Sequence, residues 1–311
     1  MIIDGCRCCG RTDLTLVLDL GNQPWCNNFI SKEDIGKEKT YPLRLVYCNS
    51  CTLLQLDYTV PKEVMFTQHD YVSGTTYTLR QHFHEIAREN LAQFPSDGTR
   101  LVVDIGGNDG TKLQVYRGLE CSNLLNVESA DNIAQVSIES HGIPTHIDFF
   151  NEAYVREHLK EGEAYIIEAS GVLFHLEELH SVLRGIRYLL ADDGVLIVQF
   201  MYAGDMIDNL AFDGIYHEHL CYYTLASLKN LLSIYELEIF DAYHSKIHGG
   251  SIIAKIGKLG SRKLTTRFYE TMEKDEKYNL QTIQTFASKT KNRIETIRKT
   301  VSEAEGRVLA I

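Results

Sequence analysis

The stretch LVVDIGGNDGTKL, residues 101–113, constrains this chain more than any other. Three apolar residues run into Asp104, a glycine-rich turn follows, and a helix can start near Lys112. An apolar run that ends in an acid and a bare turn is how the first strand of an open α/β sheet meets a nucleotide-type ligand. A dinucleotide loop needs glycines at its first, third and sixth positions, so that pyrophosphate can sit on the helix N-terminus. Counted from Gly106, the third position is Asn108 and the sixth is Thr111, and Asp109 would set a negative charge against the phosphates. The dinucleotide reading fails.

Asp104, Gly106, Asn108 and Gly110 instead fill the pattern acid-x-Gly-x-(Gly/Asn)-x-Gly. That loop suits S-adenosylmethionine (SAM), which has no phosphates and carries a cationic sulfonium and an amino group. Asp104 at the strand end can meet the amino group, and bare backbone lets the amino-acid tail lie against the turn. Glu128, closing the apolar run LLNVE, stands where a second strand offers a carboxylate to ribose hydroxyls. The alternative is a strand and turn whose glycines serve only their backbone angles.

Four of the eight cysteines form two C-x-x-C pairs, Cys6 with Cys9 and Cys48 with Cys51. Together they supply the ligand set of a closed, tetrahedral, structural zinc site. Cys8 is spare, and Cys26, Cys121 and Cys221 read as small core residues. The net charge of -11 disfavours nucleic acid polymers or an anionic membrane as partners. The N-terminus MIIDGCRCCG has no signal-peptide pattern and no run approaches a membrane span, so a cytoplasmic protein is expected.

Taken in order, residues 1–60 read as a zinc-binding module with one short strand in LVLDLGNQPWCNNFI, a Gly/Pro loop, and a second strand in YPLRLVYCNSC. Residues 61–98 carry a Ser-Gly-rich loop with Tyr71, then a helix with Leu79, Phe83, Ile86, Leu91 and Phe94 on one stripe, expected to cap the cofactor cleft. Residues 99–258 alternate strand and helix, giving an α/β, Rossmann-like, doubly wound sheet that carries the SAM-type loop. Residues 259–311 form a charged helical segment whose final RVLAI reads as the start of a further strand.

A second constellation, FDGIYHEHLCYYTL, crowds Tyr216, His217, Glu218 and His219 just after the fourth strand of that domain, where loops line a ligand crevice. Three readings stay open on these residues alone. His217 and His219 can share a face and bind a metal; one histidine with Tyr and Glu can do acid/base work; or the loop is a hydrogen-bonded aromatic turn. His175 and Tyr71 lie where they can join it, and His248 in KIHGGS is a further contributor or a hairpin turn.

The cysteine pairs, DIGGNDG, GIPTHIDFFN, the Phe-His pair before LEEL, IYHEHLCYYTL and HGGS, in this order, resemble the SAM-dependent deoxysugar C-methyltransferases across nearly the whole chain. The resemblance implies methyl transfer to a carbon, commonly carbon 3, beside the ketone of a nucleotide-linked (TDP-linked) 4-keto-6-deoxysugar. It places Tyr71, His175, Tyr216, Glu218 and His219 at the active site, with His219 as general base. It also places SAM at Gly106, Asn108 and Glu128. Imidazole suits the base because its pKa lies near operating pH. A tyrosine hydroxyl or a second histidine would stabilise the enolate, and Glu218 would orient a partner or bind a sugar hydroxyl.

The chain departs from the family in two places. Family members continue through a second α/β half that helps to hold the nucleotide, so a truncated form or a different substrate contact is expected here. Ser170 and Gly171 stand where the family has an Asn-Asn pair. Two other functions fit the same sequence: a SAM-dependent O- or N-methyltransferase on a small molecule, and an inactive zinc- and SAM-binding partner protein.

Overall fold

The computed structural model describes residues 1–27, 30–66 and 71–308. The N-terminal part contains β1 (Leu14–Pro24), β2 (Thr40–Cys48), β3 (Leu54–Leu56) and the single-turn α1 (Lys62–Met65). Then come α2 (Tyr77–Gln93), β4 (Leu101–Ile105), α3 (Thr111–Gly118), β5 (Leu124–Glu128), α4 (Asp131–Glu139), β6 (Thr145–Ile147) and α5 (Glu152–His158). The chain continues through β7 (Ala164–Ser170), α6 (Leu179–Leu189), β8 (Leu190–Met201), α7 (Ala203–Asp208), β9 (Cys221–Tyr222) and α8 (Leu225–Ser233). It ends with β10 (Leu237–Ser245), β11 (Ser251–Lys258), α9 (Thr266–Asp275) and α10 (Leu280–Glu303).

Seven strands make one sheet in the order β10-β11-β8-β7-β4-β5-β6. The five from β8 to β6 are parallel, whereas β11 runs antiparallel to both its neighbours. All five residues of β4 and of β5 are buried, the mark of strands covered on both faces. From β4 the chain winds outward through β5 and β6, then returns to place β7 on the other side of β4. That reversal opens a crevice beyond the carboxyl ends of β4 and β7. The Rossmann-like α/β fold expected from the strand-helix alternation is present.

Three features differ from the sequence-based expectation. Strand β1 does not stop before Gly21; it runs to Pro24 against β2, absorbing Gly21 through register shifts. Helix α2 lies on the sheet face rather than over the cleft mouth. Its Leu79, Phe83 and Ile86 share a core with Val102, Val195, Ile197 and Ile253, because its apolar stripe gains more by facing a sheet than by facing solvent. Only its first turns reach the cleft, through Leu79 and Phe83. The N-terminal module is also not self-contained: β9, inside the IYHEHLCYY stretch, is the fourth strand of its sheet, in the order β1-β2-β3-β9.

The charged C-terminal segment forms two helices with one buried side each. In α10 this side carries Ile283, Phe286 and Ala287. Asp275, buried at the end of α9, accepts from the Leu225 and Ala226 amides and so occupies the N-terminus of α8. Arg307 and Val308 form no strand, and the last three residues of RVLAI lie outside the described residues. No helix among the described residues is long and apolar enough to cross a membrane.

Candidate active site

The turn after β4 is held open by backbone geometry. Gly106 has φ +60°, and a Cβ there would meet Val172 Cγ2, across the strand reversal, at 2.9 Å. Asn108 follows in the left-handed region at φ +54°, which asparagine tolerates better than most residues. Its amide donates to Glu128 Oε2 at 2.9 Å, and the Ala130 amide donates to Oε1 at 2.8 Å. Both oxygens of Glu128 are thereby held by main-chain donors. The Asn108 side chain is used for a different purpose from the one expected. It accepts from the Ser73 amide at 2.8 Å and donates to the Tyr71 carbonyl at 3.0 Å, pinning the Tyr71 loop onto the turn. The His69 and Asp70 that open this loop lie outside the described residues.

Asp104 and Gly110, expected at the cofactor, lie beneath the cleft lining. Asp104 is 2% exposed and sits 3.5 Å from Lys112 Nζ, which also reaches Glu168 at 3.4 Å and donates to Ser170 Oγ at 2.6 Å. Burial pushes Asp104 up to about 7, against the pull of Lys112. Gly110 serves as the left-handed N-cap of α3, its bare Cα packed close to Ile143. The sequence placed Asp104 at a strand end correctly. The buried Lys112 of α3 holds its carboxylate inward.

Gly106, Asn108 and Glu128 line a cavity of about 680 Å³ that also receives Tyr71, His175, Tyr216, Glu218 and His219. Its wall beside Glu128 carries Ser129, Ala130, Ile133, Phe149 and Phe150. An acid beside an apolar slot, with bare backbone at the turn, fits the ribose, adenine and amino-acid tail of SAM.

The histidines line the same cavity. His219, 6% exposed, has its Nδ1 3.1 Å from the Gly214 carbonyl oxygen. His175 has its Nδ1 2.7 Å from the Glu218 carbonyl oxygen. A carbonyl can only accept, so both Nδ1 atoms carry protons, and in the neutral rings both Nε2 atoms are lone pairs. The rings are 5.0 Å apart, with Tyr216 3.9 Å and Phe174 4.6 Å from His219. Burial, reinforced by His175, holds His219 well below the usual histidine range. Burial and the nearby Glu218 raise Tyr216, so its phenol stays a donor. The metal reading of His217 with His219 fails on geometry. The stretch is a turn, not a strand, and His217 Nε2 lies 3.3 Å from the Tyr41 carbonyl oxygen in β2.

Sequence reasoning missed several wall residues. Gln199, at the end of β8, has its Oε1 2.6 Å from His82 Nε2 on α2, and it faces the cavity beside His248. Asn27 and Lys62 also line the cavity, and both come from the N-terminal 66 residues. None of these side chains belongs to a recognisable short motif; three-dimensional proximity alone selects them. Cys26, read as a core residue, is half-buried, and its thiol is pushed up to about 12 by burial and then by Glu218.

Cys6, Cys9, Cys48 and Cys51 are the single metal-ligand cluster of three or more among the described residues, all four sulfurs lying within 4.8 Å of one another. Cys6 and Cys51 are 3.4 Å apart and Cys9 and Cys48 3.6 Å. These separations approach the edge of roughly 3.8 Å that a tetrahedron of 2.3 Å zinc-sulfur bonds requires. Contact with Cys51, then burial, pushes the Cys6 thiol up, so a cation is needed to make this a set of thiolates.

A family model described as "Methyltransferase domain" matches residues 78–241. The chain belongs to the methyltransferase family. Residues 6–66 match a second family, described as "Putative zinc binding domain", over the span that holds the four cysteines. The methyltransferase is 32% identical over 254 residues to the C-methyltransferase NovU of Streptomyces niveus, covering 81% of this chain and 60% of that relative's length. It thus spans less than two thirds of that protein. Among solved structures it is similar to the PH0226 protein of Pyrococcus horikoshii, at 11% identity and a TM-score of 0.47, covering 60% of this chain and 94% of that one. It is also similar to magnesium protoporphyrin IX methyltransferase of Synechocystis with bound SAM, at 12% identity and a TM-score of 0.44, covering 58% and 79%. Both likenesses are too loose to inform function. The methyltransferase domain takes SAM and its N-terminal domain takes zinc, the latter with no ligand position left for substrate.

Proposed function

We propose that this methyltransferase moves a methyl group from SAM to the carbon, carbon 3, beside the ketone of a nucleotide-linked 4-keto-6-deoxysugar, with TDP as the nucleotide. The observation that carries the reading is the buried, neutral His219, whose Nδ1–H is engaged by Gly214 so that its Nε2 lone pair is left to take a proton. A hydroxyl or amine needs less help from such a base than a C–H beside a ketone, which must be deprotonated before it can attack. SAM supplies the electrophilic methyl on its sulfonium. Here Glu128 and the Gly106–Asn108 backbone would hold it, and His219 Nε2 takes the proton from the carbon. Tyr216, and Tyr71 on its pinned loop, donate to the enolate oxygen; one well-placed donor is worth about 3 kcal/mol. His175 Nε2 is a donor only when protonated, so in its neutral form it is a second acceptor and not the enolate's partner. The likeness to a C-methyltransferase over most of the chain supports this choice over the O- and N-transfer alternatives.

The test is incubation of zinc-loaded protein with SAM and a panel of nucleotide 4-ketosugars, with the product read by carbon-proton correlation NMR. A new methyl on carbon adjacent to the ketone is expected. A methyl on oxygen or nitrogen rejects the proposal, and SAM binding without transfer to any ketosugar favours the inactive-partner alternative.

A further inference from the structure

Glu218 is buried, 3% exposed, and its carboxylate is held from outside the catalytic sheet. Trp25 Nε1 donates to its Oε1 at 3.0 Å, and Asn27 Nδ2 donates to the same oxygen at 2.9 Å. Both donors lie just past the end of β1, in the zinc-binding module. Asn27 itself lines the cavity and adopts a left-handed φ of +61°, a conformation that persists where surrounding structure over-determines it. The main chain makes the same connection. Leu56 N donates to Leu220 O at 2.9 Å, and Asn230 Nδ2 donates to the carbonyl of the zinc-cluster residue Cys51 at 3.1 Å.

A module that served only as a folded end-piece would have no reason to place two donors on one buried carboxylate of the substrate cavity. A buried carboxylate needs donors to remain there. Each donor engages one of the several acceptor sites a carboxylate carries.

We propose that the zinc-binding module completes the substrate site. Trp25 and Asn27 are positioning residues that aim the Glu218 carboxylate at a hydroxyl of the sugar. This rests on the ketosugar reading above for the ligand, but not for the contact itself.

Trp25 is the chain's single tryptophan, so its emission reports on this contact directly. In zinc-loaded protein, Glu218→Gln should shift the emission maximum, and so should binding of the ketosugar to the unaltered protein. Emission unchanged in both cases overturns the proposal. Trp25→Phe keeps a ring and removes the N–H. It should lower kcat/KM for the ketosugar roughly 10- to 100-fold, as loss of a hydrogen bond to a charged group does, while SAM affinity stays constant.

In a Glu218→Gln background, Trp25→Phe should cost little more, because the two changes remove one interaction. Fully additive losses would mean that Trp25 acts only through packing, and would overturn the positioning role. If the protein methylates no ketosugar yet the Glu218→Gln emission shift appears, the substrate reading fails and the contact stands.

Discussion

His219 and His175 are chemically alike in sequence, yet their hydrogen bonds restrict what each can do. Each gives its Nδ1 proton to a main-chain carbonyl, so in each neutral ring Nε2 is an acceptor and not a donor. That suits one base and rules out a neutral histidine as enolate donor, which leaves the phenols of Tyr216 and Tyr71. His219→Asn should reduce methylation roughly 10²- to 10⁴-fold, the usual contribution of a general base, with SAM affinity retained. The sign of the pH dependence follows from burial. The neutral base is the active form and its pKa is depressed, so kcat/KM should stay level as pH falls through 6.5 and decline only below it. A rate profile with its acid limb at or above pH 6.5, or a fully active His219→Asn, would assign the proton transfer elsewhere.

At the scale of elements, β4, α3 and β7 are joined by charge under the SAM turn. Lys112, one residue into α3, reads in sequence as an ordinary helix-start lysine, but it is buried between Asp104 of β4 and Glu168 of β7. Tyr116 and Asn90 also donate to Glu168 Oε1, at 2.6 and 2.9 Å, bringing α2 into the same network. Two carboxylates with one ammonium form a group that tolerates loss of a carboxylate better than loss of the cation. Lys112→Met should therefore destabilise the fold by about 3–5 kcal/mol, since it strands two buried acids. Urea titration checks this, and a change under 1 kcal/mol would mean that the acids take up protons at little cost. The glycine turn above this network was legible from spacing. The network was not, because its members are 8, 56 and 64 residues apart in pairs and share no periodicity.

Across the whole molecule, β9 and the Glu218 contacts tie the sheet that carries the metal site to the catalytic turn. Structural zinc binding in small peptides is worth roughly 10–16 kcal/mol at neutral pH, far more than the marginal stability of a domain. A strong chelator should therefore strip hydrogen-exchange protection from Leu45, Leu54 and Cys221 together, while Val103 and Leu125 in the seven-stranded sheet stay protected. Protection lost at Leu45 and Leu54 but kept at Cys221 would show that β9 stays with the catalytic domain, where its amide donates to Phe174, when the rest of its sheet unfolds. Stoichiometric loss of metal without any change in exchange would remove the zinc site from the account of stability.

What the sequence determined by itself is local. Alternating strand and helix, the bare turn after Asp104, the acid at Glu128 and two C-x-x-C pairs all express constraints between near neighbours, and near neighbours carry periodicity and spacing. Tertiary structure decided where those pieces face. It turned Asp104 inward onto Lys112, moved α2 from the cleft mouth to the sheet, and sent His217 to β2 while leaving His219 in the cavity. It also brought Trp25 and Asn27 to Glu218 across 193 and 191 residues. Such choices depend on which side chain can be desolvated against which partner. That free energy is set by contacts between distant segments, and no short stretch of sequence contains it.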